Sequence, residues 1–227
     1  MKVVAVIPAF REENRIAKTV QSVLPHVQHV VVVDDGSGDA TALNVPVESG
    51  RVTVIRHRVN RGQGASLKTG TDAAVQLGAD IIVHVDADGQ HDPSFISSVV
   101  APIQEGNADV VFGSRFLGES VGMPFARRLL LNGARTFNAL AVGIPRRVTD
   151  PQSGFRAMTV DAAKKIPFRQ DRFAHCSEIL RLVTRSDLRW KEVPVRVHYS
   201  EDSLKKGQKP WDAMRIVWQL FLGAITH

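Results

Sequence analysis

The chain has 227 residues, 44% hydrophobic and 23% charged, a balance that supports a buried core and argues against a disordered chain. A formal charge of +6 points to an anionic partner, while the single cysteine, Cys176, excludes an internal disulfide and fits a reducing compartment. No stretch offers the roughly 20 consecutive apolar residues of a membrane-spanning helix, and Pro8, Arg11, Glu12 and Glu13 stand where a signal-peptide cleavage site would be, so the chain reads as soluble or surface-bound.

Residues 2–8 form the first of several short Val/Ile-rich runs. Glu12 to Leu24 follows with Ile16, Val20, Val23 and Leu24 at helical spacing, and Pro25 stops it. The runs at 29–33 and 51–56 predict two more strands. After "NRGQG" (60–64) a second helix is expected, with Leu67, Ala74 and Leu77 inward and its end near Gly78. Runs at 80–85 and 108–113 complete the series. Continuous apolar strands alternating with helices indicate a mostly parallel sheet covered on both faces, an α/β fold. No repeat, low-complexity tract or linker divides the chain, so residues 1–227 read as one domain, more regular up to about residue 115.

In an open α/β sheet, ligands bind beyond the carboxyl ends of the strands. Three polar clusters fall there: "PAFRE" (8–12), "VDDGSGDAT" (33–41) and "VDADGQHD" (85–92). For Asp35, Asp39 and Asp92 a helix cap or turn is as good a reading as a ligand role. Asp86 and Asp88 differ, because residues i and i+2 leaving a strand point the same way and two like charges raise each other's pKa unless a cation joins them. An all-oxygen set favours magnesium or manganese over zinc, bound by one or two carboxylates together with a diphosphate.

Taken in order, "PAFRE", "VVVDDGS", "NRGQGASLKTG", "DADGQHDP", "GSR" (113–115) and "DPQSGFR" (150–156) resemble the family-2 inverting glycosyltransferases of GT-A fold, in particular the dolichol-phosphate mannosyltransferase-like branch that serves polyprenyl phosphates. The resemblance covers about residues 3–200. It implies a Rossmann-like nucleotide-binding sheet, a nucleotide-sugar half at 1–115 and an acceptor half at 116–227. Pro8, Ala9, Phe10 and Glu12 match the first nucleotide loop, with Phe10 in place of the usual Tyr. Asp35, with Asp34 as the alternative, matches the acid facing the base. Asp86, Asp88 and Gln90 match the DxD site that holds Mg2+ or Mn2+ on the diphosphate. Arg61, Gly62 and Lys68 belong to a glycine-rich stretch before a helix, whose free amides support anions; a plain helix start is the alternative for Lys68.

Expelling a nucleoside diphosphate from the anomeric carbon leaves negative charge on the phosphate, which the metal and Arg115 would answer. A sugar-hydroxyl acceptor must also lose a proton, and the resemblance makes Glu178 in "FAHCSEIL" the candidate base, with a salt-bridge or supporting role as the alternative; because the polyprenyl branch also keeps an acid here, its presence alone does not separate the acceptor classes. A lipid phosphate is already an anion and needs cations instead. Residues 115–156 carry Arg115, Arg127, Arg128, Arg135, Arg146, Arg147 and Arg156. Within them Leu130, Phe137 and Ile144 recur at heptad spacing, opposite Arg128, Asn132 and Arg135, as in a basic amphipathic helix. A core-facing helix explains the pattern equally well, but the resemblance places interface helices here. It also makes Arg128, Ser153 and Arg156 contacts for the acceptor phosphate. Arg196, His198, Lys205, Lys206 and Lys209 fall near a loop suited to close over the diphosphate. Beyond them Trp211, Met214, Trp218, Phe221, Leu222 and Ile225 form a stripe that reads as a packed terminal helix, with membrane docking or a small membrane protein partner as the alternative.

The expectation is therefore a cytoplasmic, metal-dependent inverting transferase, peripheral on the inner face of the membrane, moving a hexose from a GDP- or UDP-sugar to polyprenyl phosphate. Transfer to a saccharide hydroxyl is the rival within the family. Nucleic-acid binding is disfavoured by 6% aromatics and by basic residues set beside acids that would repel a phosphate backbone. A nucleotidyltransferase would open on a Gly-rich, basic loop, which "PAFREEN" is not.

Overall fold

The computed structural model describes residues 1–47, 50–118, 120–121, 145, 147–172 and 174–198. The basic segment with Arg127, Arg128, Arg135 and Arg146, together with Lys205, Lys206, Lys209 and the stripe from Trp211 to Ile225, lies outside the described residues.

Strands β1 (Val3–Ala9), β2 (His29–Asp34), β3 (Val52–Arg56), β4 (Ile81–His84) and β5 (Val110–Ser114) coincide with the apolar runs. Three later segments add β6 (Ser120–Val121), β7 (Arg156–Thr159) and β8 (Trp190–Pro194), and β9 (Val197–His198) pairs with β6 in a small second sheet. The main sheet has the order β3-β2-β1-β4-β7-β5-β8. Only β7 runs antiparallel to its neighbours. Because β7 inserts between β4 and β5, the residues before and after position 115 share one sheet, and "DPQSGFR" is delivered beside the end of β4.

The alternation along β1 explains why a solid run of valines is needed. Val3, Ala5 and Ile7 pack on one face with α1 (Ile16–Val23) and α3 (Ile96–Gln104). Val4 and Val6 pack on the other with α2 (Gln63–Gln76) and α5 (His175–Arg185). Both faces exclude water, so each buried Val or Ile contributes roughly 1.5–3 kcal/mol. A short helix, α4 (Val160–Lys165), starts where the Thr159 hydroxyl accepts from the Ala162 amide at 3.0 Å. Helix α1 begins at Ile16, later than the expected Glu12, because the Glu12 carbonyl already accepts from Arg15 and Ile16 in a preceding turn. Pro25 occupies the 3-10 turn Leu24–His26 that ends it.

Candidate active site

A cleft of about 700 Å3 opens at the carboxyl ends of β1, β2 and β4, lined by Pro8, Ala9, Phe10, Glu12, Asp35, Asp86, Asp88, Gln90 and Arg115 among others. After β1 the chain turns at Arg11, whose φ of 56° is left-handed. That turn is held by two side-chain hydroxyls: Ser37 accepts from the Arg11 amide and Thr41 from the Glu12 amide, both at 2.9 Å. Phe10 is left 40% exposed at the cleft wall, with the Arg11 guanidinium 5.2 Å from its ring centre.

The two acids ending β2 have separate duties. Asp34 is fully buried; it accepts from the Ser37 amide and pairs with Arg56 at 3.2 Å. Asp35 faces the cleft and accepts from the Arg61 amide at 3.0 Å, the Gly62 amide at 2.6 Å and His57 Nδ1 at 2.7 Å. Asp39 and Asp92 take the plainer reading: each accepts from the amide two residues on, Thr41 and Ser94.

Past β4, Asp86 and Asp88 both open into the cleft, with the buried Ala87 between them. Asp86 Oδ1 accepts from Gln63 Nε2 at 2.7 Å, and its Oδ2 lies 3.7 Å from His91 Nδ1. Gln90 donates to Asp88 through its backbone at 3.0 Å and its side chain at 2.6 Å. Burial, then the charge of Asp86, raises the Asp88 pKa above the ordinary aspartate value; Glu12 adds to this, while His91 and the Gln90 amide oppose it. Gly154 leaves room at this point: a Cβ there would stand 2.6 Å from Asp86 Oδ2.

The amino end of α2 forms another wall. Gly62, at φ 114°, lies against the 170–172 loop so closely that a Cβ would meet the Asp171 carbonyl at 2.3 Å. Glu178, in the first turn of α5, holds that loop by accepting from the Arg169 amide at 3.0 and 3.1 Å and the Gln170 amide at 2.8 Å. Its carboxylate is bound to backbone amides and is not among the groups that line the cleft. What the loop brings to the cleft is Arg172.

A family model for "Glycosyl transferase family 2" matches residues 4–167. The chain belongs to glycosyl transferase family 2. It is 32% identical over 237 residues to a UDP-N-acetylglucosamine--dolichyl-phosphate N-acetylglucosaminyltransferase of Methanococcus voltae, covering 96% of this chain and 94% of that one. It is 36% identical over 229 residues to an uncharacterized protein of Methanocaldococcus jannaschii, covering 99% and 93%. A dolichol-phosphate mannosyltransferase of Pyrococcus furiosus is 29% identical over 230 residues, 97% of this chain and 64% of the relative. Among solved structures, glucosyl-3-phosphoglycerate synthase from Mycobacterium tuberculosis in complex with Mn2+, UDP and phosphoglyceric acid superposes with a TM-score of 0.73 at 22% identity, covering 99% and 78% of the two chains. The sheet is thus a GT-A fold, as the motifs led one to expect.

The family 2 cleft gathers most of the expected donor residues and relocates others. Lys68 points away from it and pairs with Asp72 at 3.2 Å, one helical turn on, so its ammonium is not a donor contact. Arg61 contributes its backbone amide to Asp35, while its half-exposed side chain stands 4.0 Å from Asp171. Arg115 does line the cleft, clamped by Asp150 at 2.6 Å and the Gln152 carbonyl at 3.2 Å. Ser153 and Arg156 do not: Ser153 donates to the Phe155 carbonyl at 3.2 Å, and Arg156 has no exposed surface. As a residue of β7 flanked by His84 on β4 and Phe112 on β5, Arg156 sits beneath the cleft floor and cannot touch an acceptor phosphate without rearrangement. Arg172 and Cys176 line the cleft with no counterpart among the expected residues.

The residues present fit a divalent cation. Two carboxylates face one opening, burial and mutual repulsion hold up the Asp88 pKa, and Gly154 keeps the space beside Asp86 clear. Among the described residues no three His, Cys, Asp or Glu side chains converge as a ready-made metal site. The chain would therefore offer Asp86, Asp88 and the Gln90 amide, and a diphosphate and water would complete the shell.

Proposed function

We propose that residues 1–227 act as one glycosyltransferase domain that moves a hexose from a nucleotide diphosphate sugar to polyprenyl phosphate with inversion. The observation that carries the acceptor class is the position of Glu178: the residue that would deprotonate a sugar hydroxyl is bound to two backbone amides outside the cleft. An acceptor that is already anionic needs no such base. The naming of relatives as dolichyl-phosphate and dolichol-phosphate transferases supports the same class.

In this reading Pro8, Ala9 and Phe10 cover the nucleotide, and Asp35, oriented by His57 and the Arg61 and Gly62 amides, accepts from the base. Asp86, Asp88 and Gln90 hold Mg2+ or Mn2+, which when bound neutralises the departing diphosphate. Gln63 keeps Asp86 turned inward. Arg115, fixed by Asp150, and Arg172 supply positive charge to the cleft and draw the acceptor's phosphate against the donor's own charge. The described residues contain no helix long and apolar enough to cross a membrane; the chain would meet its lipid at the inner face of the membrane through the basic segment around Arg128. Radiolabelled GDP- and UDP-sugars offered with undecaprenyl phosphate and soluble saccharides test the proposal. Label in the lipid fraction supports it, and label only in a soluble glycan rejects it.

A further inference from the structure

The cleft floor holds a thiol that has no part in the proposed transfer. Cys176, the chain's single cysteine, is partly buried in the first turn of α5 and lines the cleft. Its sulfur is 3.4 Å from His175 Nε2 and 3.5 Å from Arg156 Nη2. His175 is fully buried, and its Nδ1 lies 2.8 Å from the Arg172 carbonyl. A carbonyl only accepts, so Nδ1 carries a hydrogen and Nε2 is left to take a proton from the sulfur.

Arg156 is the second, independent observation. It has no exposed surface, its Nε donates to the Gly154 carbonyl at 3.3 Å, and its Nη1 is buried without a partner. Among the described residues no carboxylate pairs with it. A guanidinium does not shed its charge, and an unpaired charge in the interior is costly. Of the groups hydrogen-bonded to it, only the Cys176 sulfur can become an anion.

We propose that Cys176 stands as a thiolate between His175 and Arg156 and is a modification site where a peroxide or small electrophile blocks the donor cleft. Burial by itself would push the thiol up; the charges of His175 and Arg156 and the His175 hydrogen bond outweigh it, against a lesser push from Asp86, and bring it down to about 7. With hydrogen peroxide the thiolate attacks one oxygen: an S–O bond forms, the O–O bond breaks and sulfur gives up two electrons. The departing hydroxide takes the proton held on His175 Nε2 and leaves as water, and Cys176 becomes a sulfenic acid.

The test is iodoacetamide labelling of the full native chain across pH, read by intact mass, where one cysteine makes every adduct assignable. In this probe reaction an S–C bond forms and iodide leaves. The labelling midpoint should fall near 7. At pH 7 the rate should exceed that of the urea-unfolded chain roughly sixfold, since about 50-fold more thiolate is offset by about eightfold lower nucleophilicity. Arg156→Met should move the midpoint back toward the unfolded value; where that variant fails to fold by circular dichroism, the wild-type profile decides. UDP with Mn2+ should slow labelling, and peroxide should inactivate the wild type but spare Cys176→Ser, which transfers sugar at near the wild-type rate. A midpoint equal to that of the unfolded chain overturns the thiolate. Labelling that nucleotide does not slow, with the midpoint still near 7, overturns the blocking role. The pH profile does not depend on the proposed function; the inactivation readout does.

Discussion

Gly154→Ala should disable the donor site while leaving the fold intact. The Gly154 backbone lies outside the left-handed region, so alanine adds no backbone strain. Its Cβ, however, would stand 2.6 Å from Asp86 Oδ2, well inside the 3.4 Å at which ordinary contact begins. The carboxylate is a short side chain and must turn. Turning it breaks the 2.7 Å hydrogen bond from Gln63 Nε2. A hydrogen bond to a charged group contributes about 1.5–3 kcal/mol, so if Asp86 orients the metal-bound diphosphate, affinity for UDP with Mn2+ should fall about 10- to 150-fold. Isothermal titration calorimetry measures the affinity, and a thermal melt followed by circular dichroism checks the fold. A folded variant with nucleotide affinity within about twofold of wild type would mean that Asp86 has no bearing on the donor.

Glu178→Gln separates structure from chemistry. A lost general base costs roughly 100- to 10,000-fold in kcat; a weakened clamp on the 169–172 loop should leave kcat within about fivefold and show as a lower Tm. Asp109→Asn tests a tie at the start of β5, where Arg189 donates to Asp109 at 2.7–3.1 Å and, with burial opposing, holds its pKa below the ordinary value of 3.8. The folded value is the lower one, so the stabilisation is full above the unfolded pKa and disappears as pH falls through the folded one. Urea melts should show wild type more stable than Asp109→Asn at neutral pH, with the gap closing below about pH 4. A gap that widens in acid would contradict the sign. Asp88→Ala should abolish Mn2+-dependent nucleotide binding, read by thermal shift with and without the metal.

Strands β1, β2, β4 and β5 were legible because each is covered on both faces and so needs an unbroken apolar run, which a single sequence displays; β3, at the sheet edge and only partly buried, showed through its Val and Ile residues. β7 and β8 were not: "RAMT" opens on an arginine, and "WKEVP" lies at the sheet edge, where none of its residues is buried and Lys191 and Pro194 are exposed. The acid cluster was legible from spacing alone, since Asp86 and Asp88 leave one strand on the same side. Cation positions were much less so. Lys68 belongs to α2, but helical phase turns it toward Asp72, and Arg156 reads as an acceptor-phosphate contact until β7 is known to lie inside the sheet. Glu178 sits where a base was expected, yet the amides of residues 169 and 170, brought back against α5, claim it. Arg172 and Cys176 carried one faint signal: an arginine and a His-Cys pair placed just before and within the first turn of a helix whose loop packs on Gly62.

The most direct measurement is anomalous scattering at the manganese edge from crystals soaked with Mn2+ and a nucleotide diphosphate. One peak is expected between the diphosphate and the carboxylates of Asp86 and Asp88. A diphosphate seated elsewhere, with no peak beside those oxygens, would contradict the proposed metal site.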